Sequence, residues 1–148
     1  MRTNEPVTQK EISYPASERL ISTTTPKGVI TYANEGFCAV AGYTQSELLG
    51  QAHNLIRHPD MPAPAFKELW DDMSMQKSWM GIVKNRCKNG DHYWVDAYVT
   101  PILEDDETSE IQSVRTKPSP ESKTRADDLY NGLNQLPEIA HSVTEATH

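Results

Sequence analysis

The residue types in this sequence that could do chemistry favour binding over catalysis. Serine, histidine and carboxylate side chains occur, but no spacing pairs a nucleophile with its general base. The two cysteines, Cys38 and Cys87, stand outside any Cys/His cluster, so no metal site is predicted. The chain contains no Gly-x-Gly sequence, which excludes a Rossmann dinucleotide site. We therefore expect no enzymatic activity.

Polar residues suited to a ligand occur before one predicted helix and within one predicted strand. Arg57 and His58 precede Pro62, and proline suits the first turn of a helix. A cation beside a helix N-terminus can hold a phosphate; alternatively, Asp60 caps this helix and Arg57 is its surface partner. Asn85 lies in a strand pattern, where a buried amide needs partners from neighbouring backbone or from a ligand.

The helix that follows Pro62 has one apolar face. Its apolar residues recur at i, i+3, i+4 and i+7, namely Phe66, Leu69, Trp70 and Met73. Phe66 and Trp70 are either ordinary core residues or the walls of a pocket for a flat ligand, since aromatic rings offer flat, polarizable surfaces.

From Ser78 the hydrophobic period changes to two, which predicts a strand with two different faces. The inner face carries Trp79, Gly81, Val83, Asn85 and Cys87. Lys84 and Arg86 fall on the other face, which we expect to be exposed to solvent. Trp79 is either core or a pocket wall, and the small Gly81 beside it leaves room for a ring.

Asn89-Gly90 is a strong hairpin signal and leads into a strand from about His92 to Leu103. Alternation places Tyr93, Val95, Ala97 and Val99 on the inner face. Trp94 and Tyr98 then lie on the outer face. Two large aromatic residues on an exposed strand face predict that the N-terminal arm, a second subunit or a signalling partner covers them.

The remaining signals complete an α+β fold. A Pro26-Lys27-Gly28 turn joins two short strands, Asn34 is a helix N-cap, and Thr44 to Glu47 form a capping box. A last strand is predicted near residues 111–116, after an acidic loop at residues 104–107. We predict an antiparallel five-stranded sheet, with short helices and one longer helix packed on one face.

Composition indicates one domain with two flanking segments. We expect an arm or cap at residues 1–19, the folded domain at 20–118, and a linker or signalling helix at 119–148. The net charge of −7 argues against a nucleic-acid partner. The sequence has no signal peptide and no membrane-length apolar run, and we expect a cytoplasmic location.

Several motifs together resemble the sensory PAS domain of the bacterial aerotaxis transducer (Aer) family, over roughly residues 7–117. The general PAS likeness rests on GVITYAN at 28–34, GYT at 42–44 and ELLG at 47–50. The more specific likeness rests on RHPDMP at 57–62, GIVKNR at 81–86 and KNGDHYWV at 88–95.

The resemblance implies a sensor that binds FAD noncovalently and reports its redox state to a chemotaxis-type output. It implies that Asn85 contacts the flavin ring and that Phe66, Trp70 and Trp79 form the pocket walls. Arg57 and His58 would then face the pyrophosphate. Because a carboxylate would oppose phosphate, Asp60 is expected to contact the ribose or adenine, or to position Arg57. Asn34 would either contact the ligand in the pocket in addition to capping its helix, or only cap the helix.

Two other functions stay open at this point. A haem-binding PAS gas sensor would commonly use a histidine on the long helix, and residues 62–76 contain none, although His58 lies just before them. A cofactor-free interaction module would use the aromatic residues as plain core. The resemblance also allows an excised sensor or a stand-alone one, with a homodimer partner or a HAMP or signalling-domain partner at the outer face (Trp94, Tyr98).

Overall fold

The computed structural model describes residues 6–135, which form a five-stranded antiparallel sheet with helices on both faces. The strands are β1 (Leu20–Thr24), β2 (Ile30–Ala33), β3 (Trp79–Arg86), β4 (His92–Glu104) and β5 (Glu107–Thr116). Their order in the sheet is β2-β1-β5-β4-β3. The helices are α1 (Glu35–Ala41), α2 (Gln45–Leu48), α3 (Ala63–Ser74) and α4 (Pro120–Asn134), with a 3-10 turn at His53–Ile56. The predicted fold class is confirmed.

Local chemistry sets the helix ends as the sequence indicates. The Asn34 side chain accepts a hydrogen bond from the Phe37 amide and so caps α1. Thr44 and Glu47 form the reciprocal capping box of α2. Pro62 stands at the N-cap of α3 without a side-chain hydrogen bond, so the alternative in which Asp60 caps this helix is not seen.

The β4–β5 connection is tighter than predicted. The pattern placed an acidic loop at residues 104–107 and a strand from 111, whereas β5 begins at Glu107. Asp105 and Asp106 both have positive φ, 54° and 66°, which suits a two-residue hairpin turn. Aspartate tolerates this backbone conformation, so the run of acidic residues marks a turn and not a loop.

The register of β4 is the predicted one. Tyr93, Val95, Ala97 and Val99 are buried towards the helices α1 to α3. Trp94 lies on the outer face and is nevertheless only 5% exposed, whereas Tyr98 is 47% exposed. Two chain segments account for the burial of Trp94.

The first segment is the N-terminal arm, residues 6–19. β5 pairs with β4 only as far as Asp96, and the arm takes the free edge beyond it. The His92 amide donates to the Lys10 carbonyl, and the Tyr14 hydroxyl donates to the Trp94 carbonyl at 2.5 Å. Gly90 is required here because a β-carbon at that position would clash with the arm's backbone.

The second segment is α4, which crosses the outer face of β3. Tyr130 stacks on Trp94, with ring centroids 6.5 Å apart and planes 10° apart, and its hydroxyl donates to the Ile82 carbonyl at 2.6 Å. Lys84 and Arg86 lie on this face, but each is only 7% exposed. The expectation that they face solvent is therefore wrong. Lys84 bonds to Asp60 and lies near the ring of Trp94, on which Tyr130 of α4 stacks.

The end of the predicted C-terminal segment cannot be compared with the structure, since Leu136 and the residues after it lie outside the described range. Within residues 6–135, no helix has the length and hydropathy of a membrane span.

Replacing Tyr130 with alanine is expected to release α4 from the sheet. The change removes the stacking on Trp94 and the bond to Ile82, which together contribute about 2 kcal/mol. An undocked helix of this length is only marginally stable in water. Amide hydrogen exchange of residues 120–134 should therefore become fast, with the sheet amides unchanged. Leu129→Ala is the matched control, because Leu129 is 59% exposed; equal protection in both variants would contradict this account of docking.

Candidate functional site

The inner face of the sheet and α3 enclose a cavity of about 140 Å³. Residues of β3, β4, β5, α3 and the 3-10 turn line it. Its apolar lining residues are Ile56, Phe66, Leu69, Trp70, Trp79, Val83, Val95, Ala97, Val99 and Ile111. The polar lining residues are Thr24, His53, Asn54, Arg57, Asn85, Ser113 and Arg115. A mostly apolar cleft with a few converging polar groups is typical of a small-molecule site.

The apolar stripe of α3 forms one wall. Phe66, Leu69 and Trp70 line the cavity, while Met73 is buried in the core. Trp70 is 43% exposed at the mouth and packs against Gly28, where a β-carbon would lie 3.3 Å from the indole. The predicted stripe therefore serves two purposes, since one end fills the core and the rest faces the cavity.

Trp79 forms the opposite wall, and the six-membered part of its indole covers Gly81. A β-carbon at position 81 would come within 2.7 Å of Trp79 Cζ2. The indole Nε1–H donates to Glu68 Oε1 at 2.9 Å and so ties β3 to α3. Gly81 does leave room for a ring, as expected, but the ring that occupies this room is the indole of Trp79.

Asn85 lies on the inner face and lines the cavity, as the strand parity predicts. It is 4% exposed, and its backbone pairs with Tyr93 of β4 and with Arg57. Arg57 also lines the cavity, with its guanidinium 3.8 Å from the ring centroid of Phe66. The backbone pairing thus holds two polar candidates side by side.

Five of the eight predicted site residues therefore line one cavity, namely Arg57, Phe66, Trp70, Trp79 and Asn85. The other three, Asn34, His58 and Asp60, do not line it. Asn34 caps α1, and its side chain also donates to the Arg19 carbonyl and accepts from the Ile21 amide.

His58 and Asp60 lie beneath the arm and α4. The His58 ring is fully buried, and its Nδ1 accepts from the Asp60 amide at 3.0 Å. Burial and the nearby Lys84 lower the pKa of His58 to about 4. Asp60 accepts from Lys84 Nζ at 2.8 Å, and its carbonyl accepts from Asn134. Asp60 therefore joins α4 to the segment that carries Arg57, and His58 supports Asp60 from within that segment.

A polar cluster surrounds Arg115, a residue that was not among the predicted site residues. Arg115 is 2% exposed, and its Nη2 donates to Ser22 Oγ at 3.0 Å. Its Nη1 lies 3.2 Å from His53 Nε2, and its Nε donates to the Leu20 carbonyl at 3.2 Å. The guanidinium also covers the Phe37 ring at 4.2 Å. Alternation along the predicted last strand places Arg115 on the same face as Ile111, so the sequence pattern could have indicated that Arg115 points inward.

The Arg115 contact fixes the state of His53. Because a guanidinium can only donate, His53 Nε2 must accept, so its ring proton is on Nδ1. Burial, and then the charge of Arg115, lower the pKa of His53 to about 3. His53 is therefore neutral at pH 7.

The chain is similar in sequence to a known family and to several known proteins. A family model described as PAS fold matches residues 30–115. The aerotaxis receptor of Escherichia coli is 43% identical over 90% of this chain, and the chain spans 26% of that receptor. The nitrogen fixation regulatory protein of Klebsiella pneumoniae is 35% identical over 56% of this chain and 17% of that protein. The resemblance expected from the motifs is confirmed.

Solved structures show the same fold at low identity. A structure from work on a flavin analogue in a light-oxygen-voltage domain gives a TM-score of 0.68 at 19% identity, over 78% of this chain and 90% of that one. The dark structure of the blue-light photoreceptor Aureochrome1 LOV gives 0.65 at 17% identity, over 80% and 86%.

A Gly81→Ala variant tests whether Trp79 is held where the structure places it. The added methyl group would displace the indole and break its bond to Glu68, and overpacking of this kind costs about 1–3 kcal/mol. Gly132→Ala is the matched control, since Gly132 lies in α4 with open space around it and should gain about 0.5–1 kcal/mol. Chemical denaturation and tryptophan emission measure both; an unshifted emission spectrum in Gly81→Ala would contradict the contact.

Proposed function

Because this chain belongs to the PAS-fold family, we propose that it is a sensor domain that binds FAD in the cavity between the sheet and α3. The observation that carries the proposal is the cavity itself, where aromatic and aliphatic walls face each other across a few polar groups. A flavin ring system requires such a flat, apolar slot with hydrogen-bonding partners at its edge. When bound, the flavin supplies reversible electron uptake, and the protein binds, orients and reads it.

The walls and the polar edge of the cavity would contact different parts of the ligand. Phe66, Trp70 and Trp79 provide flat surfaces for the ring. Asn85 offers both a donor and an acceptor to the ring's polar edge. Arg57 provides a cation for the pyrophosphate from the cavity wall.

The three predicted residues away from the cavity take supporting roles in this proposal. His58 and Asp60 position Arg57, which follows the second of the two roles expected for Asp60. Asn34 acts as the cap of α1. None of the three contacts the ligand in this arrangement, and each would affect binding through the element it holds.

A route for the signal runs through β3. Reduction changes flavin N5 from a hydrogen-bond acceptor to a donor, and rotating the Asn85 amide exchanges its own donor for its acceptor. Lys84, which precedes Asn85 in β3, faces outward. Its Nζ donates to Asp60 and lies 5.9 Å from the centroid of the Trp94 ring. A shift of β3 would therefore reach the stacked pair Trp94–Tyr130 and α4.

The receiving partner in this proposal is a chemotaxis-type signalling module, such as a HAMP domain, or a second copy of the chain. The part of the outer face that α4 leaves open supports a protein contact. A row of register neighbours crosses it, namely Met80, Tyr98, Val114 and Ile21. Met80 is 70% exposed. Trp94, in contrast, contacts α4 and reaches a partner only through that helix.

The purified protein is expected to be yellow and to release FAD on denaturation. Its absorption spectrum separates the alternatives, since haem would give a Soret band and a cofactor-free module would give no visible band. Chromatography of the released cofactor identifies FAD, and recovery of FMN alone would contradict the assignment of Arg57 to the pyrophosphate.

Arg57→Ala should lower affinity for FAD while leaving that for riboflavin unchanged. Lys67→Ala, an α3 residue paired with Asp71, should change neither.

Substitution of Asn85 tests the signalling role. Asn85→Asp lacks the amide donor, so we expect one signalling state to dominate and FAD affinity to fall about fivefold, the value of one hydrogen bond. Gln51→Ala is the matched control, because Gln51 is an exposed amide that does not line the cavity, and this variant should change neither property. Signalling is measured with the protein coupled to its output module. If Asn85→Ala binds FAD, keeps the midpoint potential and signals as the unmodified protein does, Asn85 has no role in the mechanism.

A further inference from the structure

Two histidines, His58 and His92, form a buried pair beneath the arm and α4. Their ring centroids are 5.8 Å apart, and the ring planes are nearly perpendicular, at 78°. His58 is fully buried, His92 is 7% exposed, and neither of them lines the cavity. Histidine is the side chain that ordinarily changes its charge near neutral pH. The histidine pair is therefore a place where acidification can act on the structure.

The charged groups that face the histidine pair come from every element around it, namely Lys84 and Arg86 of β3, Asp60 of the segment that carries His58, Glu11 of the arm, and Asp127 of α4. The two cations disfavour a proton on the rings, whereas the three carboxylates favour one. Burial has the largest effect, and it disfavours the charged form. Burial and then Lys84 lower the pKa of His58 to about 4 and also lower the pKa of His92. Both rings are therefore neutral at pH 7.

The hydrogen bonds of His58 suit only its neutral form. Its Nδ1 accepts from the Asp60 amide at 3.0 Å, so the single ring proton is on Nε2. A second proton would have to bind Nδ1, where it would face the amide proton and break this bond. The charged ring would then attract Asp60 Oδ2, which lies 3.7 Å from Nδ1 and is bonded to Lys84 at 2.8 Å. Protonation thus disturbs both the backbone and the side chain of Asp60.

The two covering segments are attached to the sheet at these same residues. The Asp60 carbonyl accepts from Asn134 Nδ2 of α4 at 2.6 Å. The His92 amide donates to the Lys10 carbonyl, and the His92 carbonyl accepts from the Ile12 amide, so the arm is bonded on both sides of this histidine. A change at either ring therefore reaches a hydrogen bond that holds α4 or the arm.

We propose that the histidine pair binds protons on acidification and thereby releases α4 and the arm from the outer face of the sheet. The ligand of this site is the proton itself, and the site is separate from the cavity. It gives the domain a second input, which acts on the same helix as the signal proposed to come from the cavity. The proposal does not require that the cavity binds flavin.

The direction of the effect follows from proton linkage. A released histidine regains its ordinary pKa of 6.5, so the released state binds more protons than the docked state and falling pH favours it. When the pKa of one ring rises on release from about 4 to 6.5, the ratio of released to docked molecules increases about tenfold between about pH 7.5 and 5.5. Release of His92 increases this ratio further, because its pKa is also lowered in the docked state.

The unmodified chain provides the first test. Amide hydrogen exchange is measured at several pH values and expressed as protection factors, which correct for the intrinsic pH dependence of exchange. Protection of residues 120–134 should fall about tenfold or more between about pH 7.5 and 5.5, while the amides of β5 stay protected. Constant protection of α4 would overturn the proposal. Loss of protection in α4 and β5 together would also overturn it, since global unfolding would then be the cause.

NMR titration of the imidazole carbons measures the protonation directly. His58 and His92 should both titrate below the ordinary pKa of 6.5. Titration of both rings at 6.5 would overturn the proposal even if no histidine variant folds.

Variants provide the third test. His58→Asn and His92→Gln place a neutral amide at each position, and the amide oxygen of the first can still accept from the Asp60 amide. Each should weaken the pH dependence of α4 protection, and the double variant should abolish it. His53→Gln is the matched control, because His53 is a neutral histidine that lines the cavity, and it should keep the full pH dependence. A double variant that also keeps it would assign the effect to the carboxylates and overturn the proposal.

Tyr130→Ala provides the reciprocal test. Because linkage is mutual, a change that undocks α4 should raise the pKa of His58 and of His92 towards 6.5. Leu129→Ala, which leaves α4 docked, should leave both values low. Unchanged pKa values in Tyr130→Ala, beside fast exchange of residues 120–134, would show that α4 does not control protonation and would overturn the proposal.

Discussion

The sheet carries side chains that need burial on both of its faces, and the rest of the structure depends on how each face is covered. The inner face meets α3 incompletely, so the lining residues enclose a cavity of about 140 Å³. The outer face is covered at the hairpin end by the arm and α4, which bury Trp94 and Lys84. The cavity and the side chains that α4 covers therefore lie on opposite faces of one sheet.

This arrangement makes β3 the shortest connection between the two sides. Successive side chains of a strand point to opposite faces, so Asn85 at the cavity and Lys84 under α4 are neighbours in the chain. Backbone pairing with β4 along the whole strand prevents either residue from moving alone. Trp79 adds a second connection, since its indole joins β3 to Glu68 of α3. A change at the cavity thus has two elements through which to act, and one of them contacts α4.

The sequence predicted what depends on local pattern and missed what depends on distant contacts. Alternation along β3 and β4 placed Asn85 inside and Trp94 outside, because the period of a strand fixes its faces. The same alternation could not show that Lys84 is buried, since its partner Asp60 lies 24 residues away, and Tyr130, which stacks on the adjacent Trp94, is also distant in the chain. His53 was missed for a similar reason, because its significance comes from Arg115, 62 residues later.

The cavity also affects the stability of the domain. The apolar residues around the cavity of about 140 Å³ lack the burial that a filled core would give them, which lowers the stability of the domain. A larger side chain at Ala97 would fill part of this space, whereas Gly81 is already covered by the Trp79 indole. A molecule that bound there would bury these side chains, and folding and binding would then be linked. The incomplete packing of α3 on the sheet is therefore what leaves the cavity open.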